Sequence, residues 1–407
     1  MPVLPRWVSA RYGRRGDVLL AAFLLVAVLL EVMAGAGLSY VAGFYRVRAV
    51  LRDVDWTWLA ALAAALVASF TGYYYAYRGI FRVGGGPKLP GPQLRALVAA
   101  GFGGFLSQGS GSLDRRALEA AGADQSDAKG RLAALAGMEQ GVLALGGCAA
   151  AIAVLVYGLQ RPPLNTSLPW AVVPVPGLVI AFWLATRYRE RFRGLRGWRG
   201  WLGTFLYSVY LIREIFLHPR HWWFAVAGMA VFWVAEAFAV WAGIAAFGYK
   251  MNVFALFVGF ATGMVFTRRT GPLAGAGILA LALTITIHYS GAPFAVAIVG
   301  VFCYRIAALW LPMPVSLAVL PTLRKMAEKQ AVLSADTAAR SADVAVTSLQ
   351  RAGQPGDPAG QPGDGAGQPG DGAAQPAGQP GDPAGQAAQP AAQAGRGAGQ
   401  AGQRAGQ

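Results

Sequence analysis

Chemistry in this chain must come from a few charged side chains set inside long apolar runs. Glu31, Glu139, Glu236, His288 and Arg305 each interrupt a stretch otherwise written in alanine, valine, leucine, glycine and aromatic residues. A charge facing lipid is costly, so such groups turn towards the interior of a helix bundle and find partners there. For Arg305 two uses are open. Its guanidinium fork can take an anion such as a lipid phosphate through two parallel hydrogen bonds. Alternatively it pairs with Glu139 or Glu236 and locks two helices together. Glu31 lies beside Ala34-Gly35-Ala36-Gly37, a small-residue stretch that permits close helix contact, and reads as a packing partner. His288 lies near the end of its apolar run, where an interfacial histidine is the ordinary case. Tyr304 directly precedes Arg305, and the basic pair Arg268 and Arg269 sits before a glycine–proline hinge at Gly271, Pro272, Gly275 and Gly277. That pair anchors the chain at a membrane face or touches a headgroup. The substrate-binding candidates are therefore Arg305, Glu139, Arg268, Arg269, Glu236 and Tyr304.

Catalytic signatures of soluble enzymes are missing: no P-loop, no GxSxG and no HExxH. His218 and His221 flank Pro219-Arg220, and carboxylate or cysteine neighbours are not expected beside them. Hence no metal, no cofactor and no catalytic residue is read from the sequence, and the chain is not expected to be an enzyme. Cys148 and Cys303 each lie within an apolar run and read as small packing residues.

The elements that must hold these groups are membrane helices. The chain has 407 residues, 55% of them hydrophobic and 13% charged, with a mean hydropathy of +0.43. That composition excludes an ordinary soluble enzyme. Apolar runs long enough to cross a bilayer, or nearly so, cover Val18 to Phe44, Trp56 to Tyr77, Leu132 to Leu159, Trp170 to Ala185, His221 to Phe247, Phe254 to Phe266, Pro272 to Ile287 and Phe294 to Leu320. Pro174 and Pro176 predict a kink near the start of the fourth. Tyr73 to Tyr75 and Tyr77 read as an interfacial aromatic belt. Leu94 to Leu106 and Trp201 to Leu217 are shorter, the second interrupted by Arg213 and Glu214, and read as re-entrant or interfacial segments. A polar, glycine-rich turn is expected at Ser107 to Ser112, and a charged amphipathic stretch from Leu113 to Arg131.

The formal net charge is +16. A nucleic-acid partner is one way to use it. The basic residues gather instead at 6–15, 78–95, 187–199, 268–269 and 324–329. Under the eight-span threading all five clusters fall on one side, so the positive-inside rule puts both termini in the cytoplasm and no nucleic acid is implied. The fold class is thus an all-α polytopic membrane protein of about eight transmembrane helices plus two short re-entrant or interfacial segments. Its parts are a basic N-terminus at 1–17, a transmembrane domain at 18–320, a cytoplasmic helix at 321–350 and a tail at 351–407. The tail repeats QPGD, holds no apolar residue larger than alanine, and is expected to be disordered. Two regions echo each other: Gly101 to Gly104 before the run carrying Glu139, and Gly259 to Gly263 before the run carrying Arg305. Paired interruptions of this kind suggest a two-fold internal repeat around a midplane site.

The segment from Pro272 to Leu311 resembles the lysylphosphatidylglycerol synthase transmembrane family, a flippase-like membrane domain. The matching residues are Pro272, Gly275, Gly277, Gly291, Tyr304, Arg305, Trp310 and Pro312. An earlier block fits as well, through Ser107 to Ser112, Asp114, Arg115, Gly122 and Glu139. The likeness covers roughly residues 15 to 325. It departs from the family at Ile278-Leu279-Ala280, where a glutamate is common, and at Gln140, where arginine commonly follows the glutamate. The resemblance implies translocation or binding of a phospholipid or lipid-linked substrate in a bacterial cytoplasmic membrane, with membrane phospholipids as partners. The aminoacyl transferase domain of the full-length synthases has no counterpart among these residues. A membrane subunit of a lipid-carrier transferase, with the transferase as partner, or a structural membrane partner protein is the alternative.

Overall fold

A computed structural model of the chain describes residues 14–102, 107–159, 161–192, 197–265, 277–310, 312 and 314. All of them belong to one compact unit spanning Met1–Ala345. Among the described residues the regular structure is helical. The helices are α1 (Arg14–Ala42), α2 (Phe44–Val50), α3 (Trp56–Arg82), α4 (Gly91–Phe102), α5 (Ser107–Ala120), α6 (Gln125–Val156) and α7 (Leu164–Val172). They continue as α8 (Pro174–Tyr188), α9 (Gly197–Leu217), α10 (Pro219–Ala245), α11 (Val253–Met264), α12 (Ile278–Tyr289) and α13 (Phe294–Arg305).

Local chemistry sets many of the boundaries. Asp55 starts α3 by accepting a hydrogen bond from the Thr57 N–H at 2.9 Å, and Asp124 starts α6 through the Asp127 N–H at 2.7 Å. Asn252 caps α11 through the N–H groups of Phe254 and Ala255. These side chains satisfy amide donors that have no partner inside the helix. Pro174 and Pro219 occupy the first turns of α8 and α10, where a missing N–H costs nothing. At Pro174 the helix is interrupted at Val173, between α7 and α8, although Val173 keeps helical φ −76° and ψ −41°.

Five stretches among the described residues are long and apolar enough to cross a membrane: Leu25–Ala42, Trp56–Gly85, Gln125–Val156, Leu164–Tyr188 and Pro219–Ala245. Their outward faces carry Leu25, Leu29, Met33, Val179, Ile180 and Trp183, all exposed. So much apolar surface turned outward suits lipid and not water. α11, α12 and α13 are apolar too but have 12 residues each. At 1.5 Å per residue, each is about 18 Å long and shorter than a bilayer core.

The core is built on α3 and α10, which make the most extensive helix pairing. Small residues permit it: a Cβ on Gly72 would lie 2.5 Å from the Gly228 carbonyl oxygen. α10 meets α13 by the same device, because a Cβ on Gly243 would lie 2.7 Å from the carbonyl oxygen of Gly300. α6 packs beside this pair, against α9, α10 and α11.

Several expectations need correction. Ser107 to Ser112 is not a turn but the first half of α5. There the backbone polar groups are bonded within the helix. The chain turns instead at 121–124, so the stretch from Leu113 to Arg131 is divided between α5 and α6. Trp201 to Leu217 belongs to a 21-residue helix, α9, within which the adjacent Arg213 and Glu214 pair at 3.3 Å. α13 stops at Arg305 and passes into a π-turn at Ile306–Trp310. The helix expected at 321–350 and the tail at 351–407 lie outside the described residues.

Candidate functional site

Arg305 is the last residue of α13 and is 1% exposed. Its partner is neither Glu139 nor Glu236. Glu31 on α1 takes both arms of the guanidinium fork, at 2.8 Å from Nε to Oε1 and 3.2 Å from Nη2 to Oε2. Glu31 is equally buried, at 1%. Its Oε2 also accepts the Gly277 backbone N–H at 2.8 Å. Gly277 has φ 75°, a left-handed conformation that favours glycine, and it opens α12. The carboxylate therefore sits at a helix start, where free amides and the helix dipole favour negative charge.

The second acid, Glu236, is 1% exposed near the middle of α10. Ser69 of α3 donates its hydroxyl proton to Oε1 at 2.6 Å, and the Tyr304 hydroxyl of α13 donates to Oε2. Glu236 thus ties α3, α10 and α13 together one residue away from Arg305. The third acid, Glu139 of α6, accepts the Tyr73 hydroxyl at 3.1 Å. The backbone carbonyl of Glu139 accepts the Trp233 indole N–H at 2.7 Å.

Two more rungs continue along α3. Tyr77 donates to Asp114 of α5 at 3.2 Å. Past Tyr77, Arg131 of α6 gathers the carbonyls of Ile80, Phe81 and Val83 with Nη1, at 3.1, 3.2 and 2.7 Å. Its Nε holds Asp127 at 2.8 Å. Arg131 thereby satisfies the carbonyls that the end of α3 leaves without amide partners.

Four of the six candidates, Arg305, Glu236, Tyr304 and Glu139, are buried in this central region. Tyr304 bonds Glu236, Arg305 next to it in the chain pairs with Glu31, and Glu139 is held by Tyr73. Arg268 and Arg269 lie outside the described residues. The sequence reading missed the roles of Glu31, Ser69, Tyr73, Tyr77, Asp114 and Arg131. Tyr73 and Tyr77 are not interfacial: they are 7% and 2% exposed. A signal existed, because Ser69, Tyr73 and Tyr77 recur every four residues and must share one face of a helix. His218, between α9 and α10, also has a carboxylate neighbour, Glu214 in the last turn of α9, at 3.4 Å. His288 is half-buried, with Nδ1 2.8 Å from the Ala292 carbonyl.

Two kinds of chemistry are available. The Arg305–Glu31–Gly277 group is an anion seat: a guanidinium fork plus a backbone amide, with a carboxylate in place. The α3 stripe alternates hydroxyls with carboxyl groups, each able to hold or pass a proton. Compared with known proteins, the chain matches no family model and no curated sequence.

Proposed function

We propose that this protein is a multi-pass protein of a bacterial cytoplasmic membrane that translocates or binds a phospholipid or lipid-linked substrate. The observation that carries this reading is the anion seat. Arg305 presents two donors and Gly277 a third, all aimed at the carboxylate of Glu31. A phosphate has the same fork-matching geometry and can replace that carboxylate. The seat lies where helices are interrupted, between the start of α12 and the π-turn after α13, as in transport sites built from broken helices. An apolar groove between α1 and α12, lined by Leu30, Ala34, Leu38 and Leu281, reaches Gly277. An acyl chain lying in it brings its headgroup to the seat.

Eight spans complete the proposal. The five long stretches are joined by the apolar α11, α12 and α13 as the remaining three. Both termini are cytoplasmic, on the side of the basic clusters, and Arg268 and Arg269 meet headgroups there. The regions carrying Glu139 and Arg305 form the two halves of an internal repeat.

The test is a vesicle assay in which a fluorescent phospholipid becomes accessible to a membrane-impermeant quencher. Wild-type protein is expected to exceed the empty-vesicle rate, and Arg305→Ala to fall to it. Glu31→Gln keeps the volume of the seat and weakens competition for it, so its probe binding tightens. Equal rates for wild type, Arg305→Ala and empty vesicles sink the translocation reading.

A further inference from the structure

The stripe on α3 has a use beyond packing. Ser69, Tyr73 and Tyr77 stand one above another, and each bonds a carboxyl group from a different helix: Glu236 of α10, Glu139 of α6 and Asp114 of α5. All three acids are at least nine-tenths buried, at 1%, 7% and 2% exposure. Four residues of helix rise about 6 Å, so the three rungs cover about 12 Å of the bundle. Ser69 is near the midpoint of α3 and Tyr77 is in its last third. The line therefore runs from the middle of the bundle towards the end of α3 where Arg131 gathers the last carbonyls.

From this geometry we propose that the stripe is a proton path, running from Asp114 to Glu236 through Tyr77, Tyr73, Glu139 and Ser69. Single buried acids bonded to hydroxyls are common as helix ties. Three in register on one helix face, each from a separate helix, form the chain of acids that intramembrane proton relays require. A hydroxyl is donor and acceptor together, and an acid alternates between the two roles as it gains or loses a proton. The rings of Tyr73 and Tyr77 meet edge to face with centroids 5.1 Å apart, so these two rungs adjoin.

The transfer balances without any redox partner. A proton taken up by the Asp114 carboxylate forms an O–H bond. Each hydroxyl, and Glu139 between them, then accepts a proton on one side while an O–H bond breaks on the other. The last proton forms an O–H bond at Glu236, and the intermediate groups keep their proton count with their O–H bonds turned along the path. Return of the proton along the same line restores the Glu236 carboxylate and the starting O–H directions.

Other charged or titratable groups lie on the helices of the same bundle. They are Arg115 and Glu119 of α5, Asp127 and Arg131 of α6, Tyr207 of α9, Tyr304 and Arg305 of α13 and Glu31 of α1. Arg131 and Asp127 stand at the Asp114 end, and the Arg305–Glu31 pair at the Glu236 end. Arrival of a proton at Glu236 removes one negative charge beside Tyr304, the residue that precedes Arg305. This consequence rests on the anion-seat reading, since it makes the seat more receptive to a phosphate.

The experiment follows protonation itself, with no lipid probe present. Full-length protein in phosphatidylcholine–phosphatidylglycerol vesicles is given a rapid drop in pH, and the protonated-carboxyl band is recorded by infrared spectroscopy. The expected result is a band that rises in wild type and is absent from Glu236→Gln. The rise is expected to be roughly tenfold or more slower in Tyr73→Phe and Glu139→Gln, the order of effect that loss of one proton-transfer group produces. Tyr75→Phe, on the exposed side of α3, should match wild type. Ser69→Ala gives a second, smaller perturbation of the same path. Absence of a band assignable to Glu236, or equal rates in wild type, Tyr73→Phe and Glu139→Gln, overturns the proposal. Either outcome leaves the phospholipid assay standing, and loss of phospholipid movement leaves the infrared result standing.

Discussion

Two polar regions share one apolar bundle and are built on opposite plans. At the junction of α1, α12 and α13, full charges meet: Arg305 against Glu31, with a backbone amide completing the group. Along α3 the partners of the acids are hydroxyls, carried on an unbroken 27-residue helix. The first region needs interrupted helices, because a helix start offers backbone N–H groups, such as that of Gly277, that have no partner within the helix. The second needs an uninterrupted helix, because only regular periodicity stacks side chains every four residues. Charge pairing concentrates energy in one contact, whereas hydroxyl pairing spreads it over rungs that can be lost one at a time.

The largest effect that tests this contrast is removal of one charge. Arg305→Ala or Glu31→Ala leaves the other group buried and uncompensated, at a cost of about 3–5 kcal/mol. Unfolding in detergent should show it. The double variant Arg305→Met/Glu31→Leu should recover most of that stability while losing the anion seat. If the double variant is as unstable as the singles, the pair does not act as an isolated charge contact.

Next in size is the frame behind the hydroxyl stripe. A side chain at Gly72 would run into the Gly228 carbonyl, so Gly72→Val should cost about 1–3 kcal/mol by forcing α3 and α10 apart. Loss of the Tyr73–Glu139 bond should accompany it, seen as a shift of the Tyr73 ring resonance. Tyr73→Phe removes one hydroxyl and no packing volume. Interhelical hydrogen bonds within membranes are worth about 0.6 kcal/mol on average, so the expected loss is of that order. A loss as large as that of Arg305→Ala would erase the distinction between the two regions.

The smallest effect is expected at the partly exposed pair Arg115–Glu119, 3.5 Å apart on α5. Glu119→Gln should change stability by about 0.5 kcal/mol or less. A larger value would mean that the pair supports Asp114, on the preceding position, and belongs to the stripe.

Much of this was legible in the residues. The apolar runs, the proline break before α8 and the caps at Asp55, Asp124 and Asn252 follow from composition and local hydrogen-bonding chemistry. The burial of Glu236 and Arg305 was legible too, since charges inside such runs have nowhere else to go. The serine- and glycine-rich start of α5 was misread, because intrinsic propensity is a weak guide that the surrounding fold overrides. Tyr73 and Tyr77 were misread because an aromatic residue near the end of an apolar run has the same composition whether it faces lipid headgroups or a neighbouring helix.

What the sequence by itself determined is the class of the protein and the short list of polar groups held inside it. Both depend only on how many apolar residues stand in a row and on the cost of a charge among them. Which acid meets which base was decided by the tertiary structure. Glu31 and Arg305 are 274 residues apart, and Glu139, Glu236 and Glu31 are chemically equivalent candidates for the same guanidinium. Only the rotation of α1 against α12 and α13, set by the packing of small residues and the amide at Gly277, selects one of them.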